Sequence, residues 1–214
     1  DLEATFPSTR SRWVVNYNGV DTDFFGIRLG RRQPFASHDV RVLFLGGMGT
    51  LKGLPVLLQA MELLPSNFYL TIAGPDAEPS IIRNLLTPSL AGRVRVAGTV
   101  LRDQVVSLLN EHDVLAVPSF YETFGIVCAE ALSCGTPVVA SRCGGPEEIL
   151  NDHFGSLFDI GDSAALSVCL SSMHERFREW SCHEARKYII EKFSIDSHVI
   201  DLDFYYRKII DVII

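Results

Sequence analysis

From residue 40 onward the chain alternates short apolar runs rich in β-branched residues with stretches of helical period, and few folds accept that order. VRVLFLGG (40–47) reads as a strand, LPVLLQAMELL (54–64) as a helix, NFYLTIAG (67–74) as a strand and PSIIRNLL (79–86) as a helix. VRVAG, QVVSLLNEH, VLAVPS, a helix from about 125 to 134, TPVVAS and PEEIL carry the alternation on. Strands that are apolar throughout must be covered on both faces, and the intervening helices supply that cover. The pattern predicts an α/β fold with a doubly wound, Rossmann-like parallel sheet.

After residue 162 the segments ALSVCLSSMHERFREW, HEARKYIIEKF and SHVIDLDFYYRKIIDVII are patterned as helices with no strand between them, a helical C-terminal tail. Before residue 40, SRWVVN reads as one isolated strand, and NGVDTDFFGIRLGRRQPFASHD carries the Gly, Asn, Asp and Pro of a linker. One strand cannot bury itself. The expected division is therefore residues 1–38 as the end of a preceding domain with its linker, 39–162 as the sheet domain, and 163–214 as helices packing on it. A start at Asp1, with no initiator Met and no signal-peptide pattern, suggests a fragment or processed product.

A net charge of −7 over 214 residues argues against sequence-independent nucleic-acid binding, which draws on surplus Lys and Arg. The five cysteines, Cys128, Cys134, Cys143, Cys169 and Cys182, form no CxxC pair, which fits reduced structural thiols in a cytoplasmic protein. The histidines show no HExxH spacing, so no metal site is expected. No apolar run is long enough to span a membrane.

In a doubly wound sheet, ligands sit beyond the carboxyl ends of the strands, where helix N-termini point. That rim would carry LGGMGTLKG, AGPDAE, AGTVLRD, SFYETFG and ASRCGGPEE. In the first, Gly46, Gly47, Gly49 and Gly53 allow close backbone approach and Lys52 offers a point charge to phosphate. It is not a Walker A loop, because its lysine precedes the last glycine. Gly47-x-Gly49-x-x-x-Gly53, with Asp76 a little over twenty residues on, approximates a dinucleotide fingerprint at loose spacing. A plain tight turn, with Pro55 at the start of its helix, explains the glycines equally well.

PSFYETFGIVCAEALSCGTPVVAS (118–141) places Glu122 and Glu130 eight positions apart, with the amides of Thr123, Phe124, Gly125 and Ile126 at a helix start between them. At helical rise the two carboxylates stand up to about 12 Å apart, too far to share a proton. They suit the two ends of a long ligand whose anionic middle rests on the amides. A nucleotide sugar has that layout: sugar hydroxyls, a diphosphate, then ribose hydroxyls, and a carboxylate accepts two hydrogen bonds from vicinal hydroxyls. Without a ligand role, Glu122 would be a dipole-favoured acid near a helix start, and Glu130 would need a structural hydrogen bond inside its apolar surroundings.

NGVD (18–21), the strand ending in glycine with Lys52-Gly53, and PSFYETFGIVCAEALSCGTPVVAS followed by GGPEEIL together resemble the donor-binding half of retaining GT-B-fold glycosyltransferases, the glycogen-synthase-like group 1 type. The hallmark is two glutamates separated by seven residues, matched by Glu122-TFGIVCA-Glu130 in register with Ala131 to Ser141. The resemblance implies that Glu122 contacts donor-sugar hydroxyls, that Gly46, Gly47 and the amides of Thr123 to Ile126 hold the diphosphate and sugar, and that Glu130 binds ribose. Lys52 would neutralise the departing diphosphate without a metal or cofactor, so that Lys52 and Glu122 carry the catalytic role. The loop Gly98 to Arg102 would lie near the base. The nucleotide-sugar donor and an N-terminal acceptor domain are the implied partners, with the full protein expected in the cytoplasm and a peripheral association at a membrane face left open.

Two departures stand out. The family usually carries Arg where this sequence has Gly47, leaving Lys52 unless Arg28, Arg102 or Arg142 substitutes. The family's amino-terminal domain is missing, so the fragment alone should bind donor and transfer little. The last helix would pack on that domain, or else within this one, through Ile209, Ile210, Val212, Ile213 and Ile214. A catalytically silent binding or regulatory module, motivated by Gly47, and a dinucleotide-binding oxidoreductase domain, motivated only by glycine spacing, are the competing functional readings.

Overall fold

The computed structural model describes residues 14–31, 33–176 and 180–213. Its centre is a sheet of six strands, all parallel, in the order β3-β2-β1-β4-β5-β6. The strands are β1 (Val40–Leu45), β2 (Phe68–Ala73), β3 (Val94–Gly98), β4 (Val114–Val117), β5 (Val138–Ser141) and β6 (Gly155–Phe158). The helices between them are α1 (Leu54–Leu63), α2 (Pro79–Arg83), α3 (Arg102–Glu111), α4 (Ile126–Ser133) and α5 (Gly145–Ile149), followed by α6 (Ser163–Arg176), α7 (Cys182–Phe193) and α8 (Ile195–Ile213).

Every residue of β4 and β5 is buried, as expected of strands covered on both faces, whereas edge strand β3 is largely half-exposed. The tail helices complete the layers: α6 packs on α1 and α7 on α4. β6 is a strand the sequence reading does not name, because Gly155-Ser-Leu-Phe158 is too short and too weakly apolar to register. It forms by extending the parallel ladder from β5. The helix expected over 79–86 closes at Arg83, with Asn84 and Leu86 already donating to carbonyls three residues back.

The isolated strand expected over 11–16 is not found where it can be seen: Val14 to Asn16 join no sheet and Val14 and Val15 are exposed, while residues 11–13 lie outside the described residues. Pairing begins only at Val20, which bridges Ser194 between α7 and α8. From there the turn-rich segment is fastened to the sheet domain. Phe25 is 2% exposed, Arg28 and Arg31 bond to residues of α3 and to Gly135, and Arg186 donates to the carbonyls of Thr22 and Phe25. Ile200, Phe204 and Ile210 of α8 are exposed; the side chains of Ile209, Val212, Ile213 and Ile214 lie outside the described residues. Among the described residues, no helix is long and apolar enough to cross a membrane.

Candidate functional site

The strand order reverses between β1 and β4, so the loops leaving these two strands diverge and open a crevice at the carboxyl edge. The loop after β1 runs through Gly46 to Gly49 into a 3-10 turn, Thr50–Lys52, and then Gly53 in the left-handed region at φ 68°. A Cβ on Gly53 would lie 1.9 Å from the carbonyl oxygen of Pro118, so only glycine lets this loop press against the one after β4. The Phe120 amide donating to the Leu51 carbonyl at 2.8 Å joins the loops a second time. The stem of Lys52 lies over Gly46, and around Gly47 an added Cβ would meet nothing within 4 Å.

Across the crevice, Lys52 Nζ donates to Glu122 Oε1 at 2.6 Å, and the buried Ser119 hydroxyl donates to the same oxygen at 2.7 Å. The backbone of Glu122 is held on both sides, its amide donating to Cys143 O and its carbonyl accepting from Gly145 N. Gly145 lies so near Phe124 that a Cβ there would sit 2.2 Å from a backbone carbon. Gly125, at φ 76°, then turns the chain into α4, whose first amides have no partner within the helix. Thr123 and Ile126 are exposed at this start, whereas the Phe124 ring is core, packed between Tyr17 and Phe193.

Glu130 lies one turn into α4 and is half-buried, and among the described residues its carboxylate has no hydrogen-bond partner. The structural hydrogen bond it would need without a ligand role is thus not formed. Burial pushes its pKa up to about 7, opposed by the charge of Arg102. Arg102 opens α3 after the Gly98 loop, bonds Asp21 at 3.1 Å and lies over the Phe24 ring. It thereby joins the NGVD segment to the Glu130 end of the ledge.

The structure thus brings Gly46, Gly47, Lys52, Glu122, Thr123, Gly125, Ile126 and Glu130 to one rim. Among the described residues, none of the three arginines named as substitutes pairs with Glu122 beside Lys52. Arg28 is tied to Ser107 and Asp103 of α3, Arg102 to Asp21, and Arg142 reaches toward Asp159 and Glu147. Asp76, the acid of the loose dinucleotide fingerprint, stands on the separate loop after β2. Ser119 and the Cys143–Gly145 backbone fall in two of the expected rim loops, but their part in holding Glu122 is not among the sequence expectations; the Ser-x-x-Glu spacing in PSFYE is a signal for the first. Buried Cys128 and Cys134 are poor nucleophiles, since burial raises both thiols, Cys134 to about 12.

A parallel sheet with a crevice at this strand-order reversal is a Rossmann-like α/β domain. The family model "Glycosyl transferases group 1" matches residues 29–195, and the chain belongs to that family. A D-inositol 3-phosphate glycosyltransferase of Mycolicibacterium smegmatis is 37% identical over 168 residues, covering 72% of this chain and 39% of that protein. One of Xylanimonas cellulosilytica is 38% identical, covering 81% of this chain and 45% of its own length. The chain therefore spans about half the length, or less, of the curated relatives it matches. Among solved structures, Anabaena Alr3699/HepE in complex with UDP superposes with a TM-score of 0.79 at 21% identity, over 91% of this chain and 57% of that one, a likeness of fold.

Proposed function

We propose that this chain is the donor-binding domain of a retaining, metal-independent glycosyltransferase, which moves a sugar from a nucleoside diphosphate sugar to an acceptor held by a separate domain. The observation that carries it is the pairing of Lys52 with Glu122 across the crevice, beside the open start of α4 and with Glu130 one turn further on. A diphosphate laid on those amides would meet Lys52 on one side. Its sugar would face Glu122 and its ribose Glu130. As the glycosidic bond breaks, charge collects on the leaving diphosphate, and Lys52 with the helix start stabilises it. Glu122 and Glu130 bind and orient, and among the described residues neither is hydrogen-bonded to another acid.

Support for a separate acceptor domain comes from relatives about twice as long as the matched chain, and from the exposed apolar residues of α8. The free thiols accord with a cytoplasmic setting. A solved structure of like fold in complex with UDP makes uridine nucleotides the first donors to try. Isothermal titration of the chain with UDP, GDP, ADP and UDP-glucose tests the reading. Saturable binding of at least one, weakened about tenfold or more by Lys52→Ala, is expected. A folded sample that binds none of them contradicts it. The silent-module reading keeps one specific motive, the absence of a second cation at Gly47. Transfer by the full-length protein would remove that motive.

A further inference from the structure

We propose that Ser119 is a positioning residue for Glu122: its hydroxyl fixes Oε1 so that Oε2 is the oxygen offered to the donor sugar, and keeps it fixed once a diphosphate draws Lys52 away. The inference rests on the donor reading above for its ligand, though not for its geometry. Oε1 of Glu122 accepts from Lys52 Nζ at 2.6 Å and from Ser119 Oγ at 2.7 Å, which fills its two lone-pair directions. Oε2 has no hydrogen-bond partner among the described residues. The side chain of Lys52 is 38% exposed and Ser119 is buried, so the lysine is the more accessible of the two anchors.

The two anchors differ in what a ligand does to them. A diphosphate competes with Glu122 for the ammonium of Lys52, because both are anions within its reach. If Lys52 alone held the carboxylate, binding the diphosphate would release the group meant to read the sugar. Ser119 removes that conflict. It is 1% exposed, its own carbonyl accepts from Ser141 Oγ, and the next amide, Phe120 N, is bonded to the Leu51 carbonyl. Its hydroxyl therefore stands on a segment pinned to the loop after β1 and to the end of β5, and is shielded from competing water. Lys52 is neutralised against Glu122 by their contact. A nucleoside diphosphate must break that contact, whereas a nucleotide sugar can replace it with a hydroxyl on the carboxylate.

The test is the ratio of UDP-glucose to UDP affinity, measured by isothermal titration on the chain and on Ser119→Ala. We expect the ratio to fall about tenfold, the loss of one charge-assisted hydrogen bond's positioning, and Ser119→Thr, which keeps the hydroxyl, to restore it. A ratio that does not move in Ser119→Ala overturns the proposal, since a residue that merely stabilises the turn would weaken both ligands alike. Should Ser119→Ala fail to fold, Ser119→Cys, similar in shape with a feebler donor, carries the same expectation. A ligand-free crystal structure of the variant decides independently of what the chain binds. Glu122 turned to another rotamer supports the assignment; Glu122 unmoved overturns it. Failure of the unmodified chain to bind any nucleotide would count against the donor reading alone.

Discussion

Glu130 is a carboxylate raised to about 7 by burial, and its folded-state value lies above its unfolded one. Such a group favours the native state while protonated, and that contribution is lost as pH rises from the unfolded value near 4.5 through about 7. Glu130→Gln should therefore raise the melting temperature of the ligand-free chain at pH 8 by several degrees and change it little at pH 4, as a thermal melt series would show. The same variant should weaken nucleoside diphosphate binding about tenfold at pH 8, if Glu130 takes the ribose as an ionised acceptor. At Gly47 the expectation has the opposite sign. An added side chain meets open space there, so Gly47→Arg should tighten nucleoside diphosphate binding about tenfold without lowering the melting temperature. The two glutamates and Lys52 were legible because their residue types and spacing carry the chemistry. Ser119 was not, because its role appears only once the Glu122 rotamer is known.

The strands and the helices of the doubly wound core could be read from their apolar runs, since β1, β2, β4 and β5 are long or wholly buried. β6 could not, because pairing with β5 rather than its own composition makes it a strand. The same holds for 20–36, where turn-rich composition conceals how firmly arginines and Phe25 bind the segment to α3, α4 and α7. What positions the site is backbone contact between loops. Gly53→Ala would force a Cβ into the Pro118 carbonyl and strain a left-handed residue, so it should destabilise the chain by about 2 kcal/mol or more, measured by urea unfolding. It should also separate Lys52 from Glu122. Gly47→Ala, with free space and ordinary backbone, should cost under about 1 kcal/mol and serves as the comparison.

Taken whole, the molecule is a sheet domain presenting one carboxyl edge, with a long helix whose packing is chiefly against α7. Val199, Ile200, Phe204 and Ile210 leave an apolar face on that helix. Hydrogen exchange should find the amides of α8 exchanging much faster than those of β4 and β5 in this chain, and, if the proposed acceptor domain packs on this face, slowing in its presence. On the proposed function, one crevice, between the loops after β1 and β4, grips a nucleotide sugar at both ends. A crystal structure of the chain with UDP-glucose, or with whichever nucleotide sugar titration selects, tests it most directly. Lys52 Nζ should lie on the diphosphate, the first amides of α4 beneath it, Glu122 on a sugar hydroxyl and Glu130 on the ribose. A nucleotide bound elsewhere, or lying in this crevice with neither glutamate in contact, would contradict it.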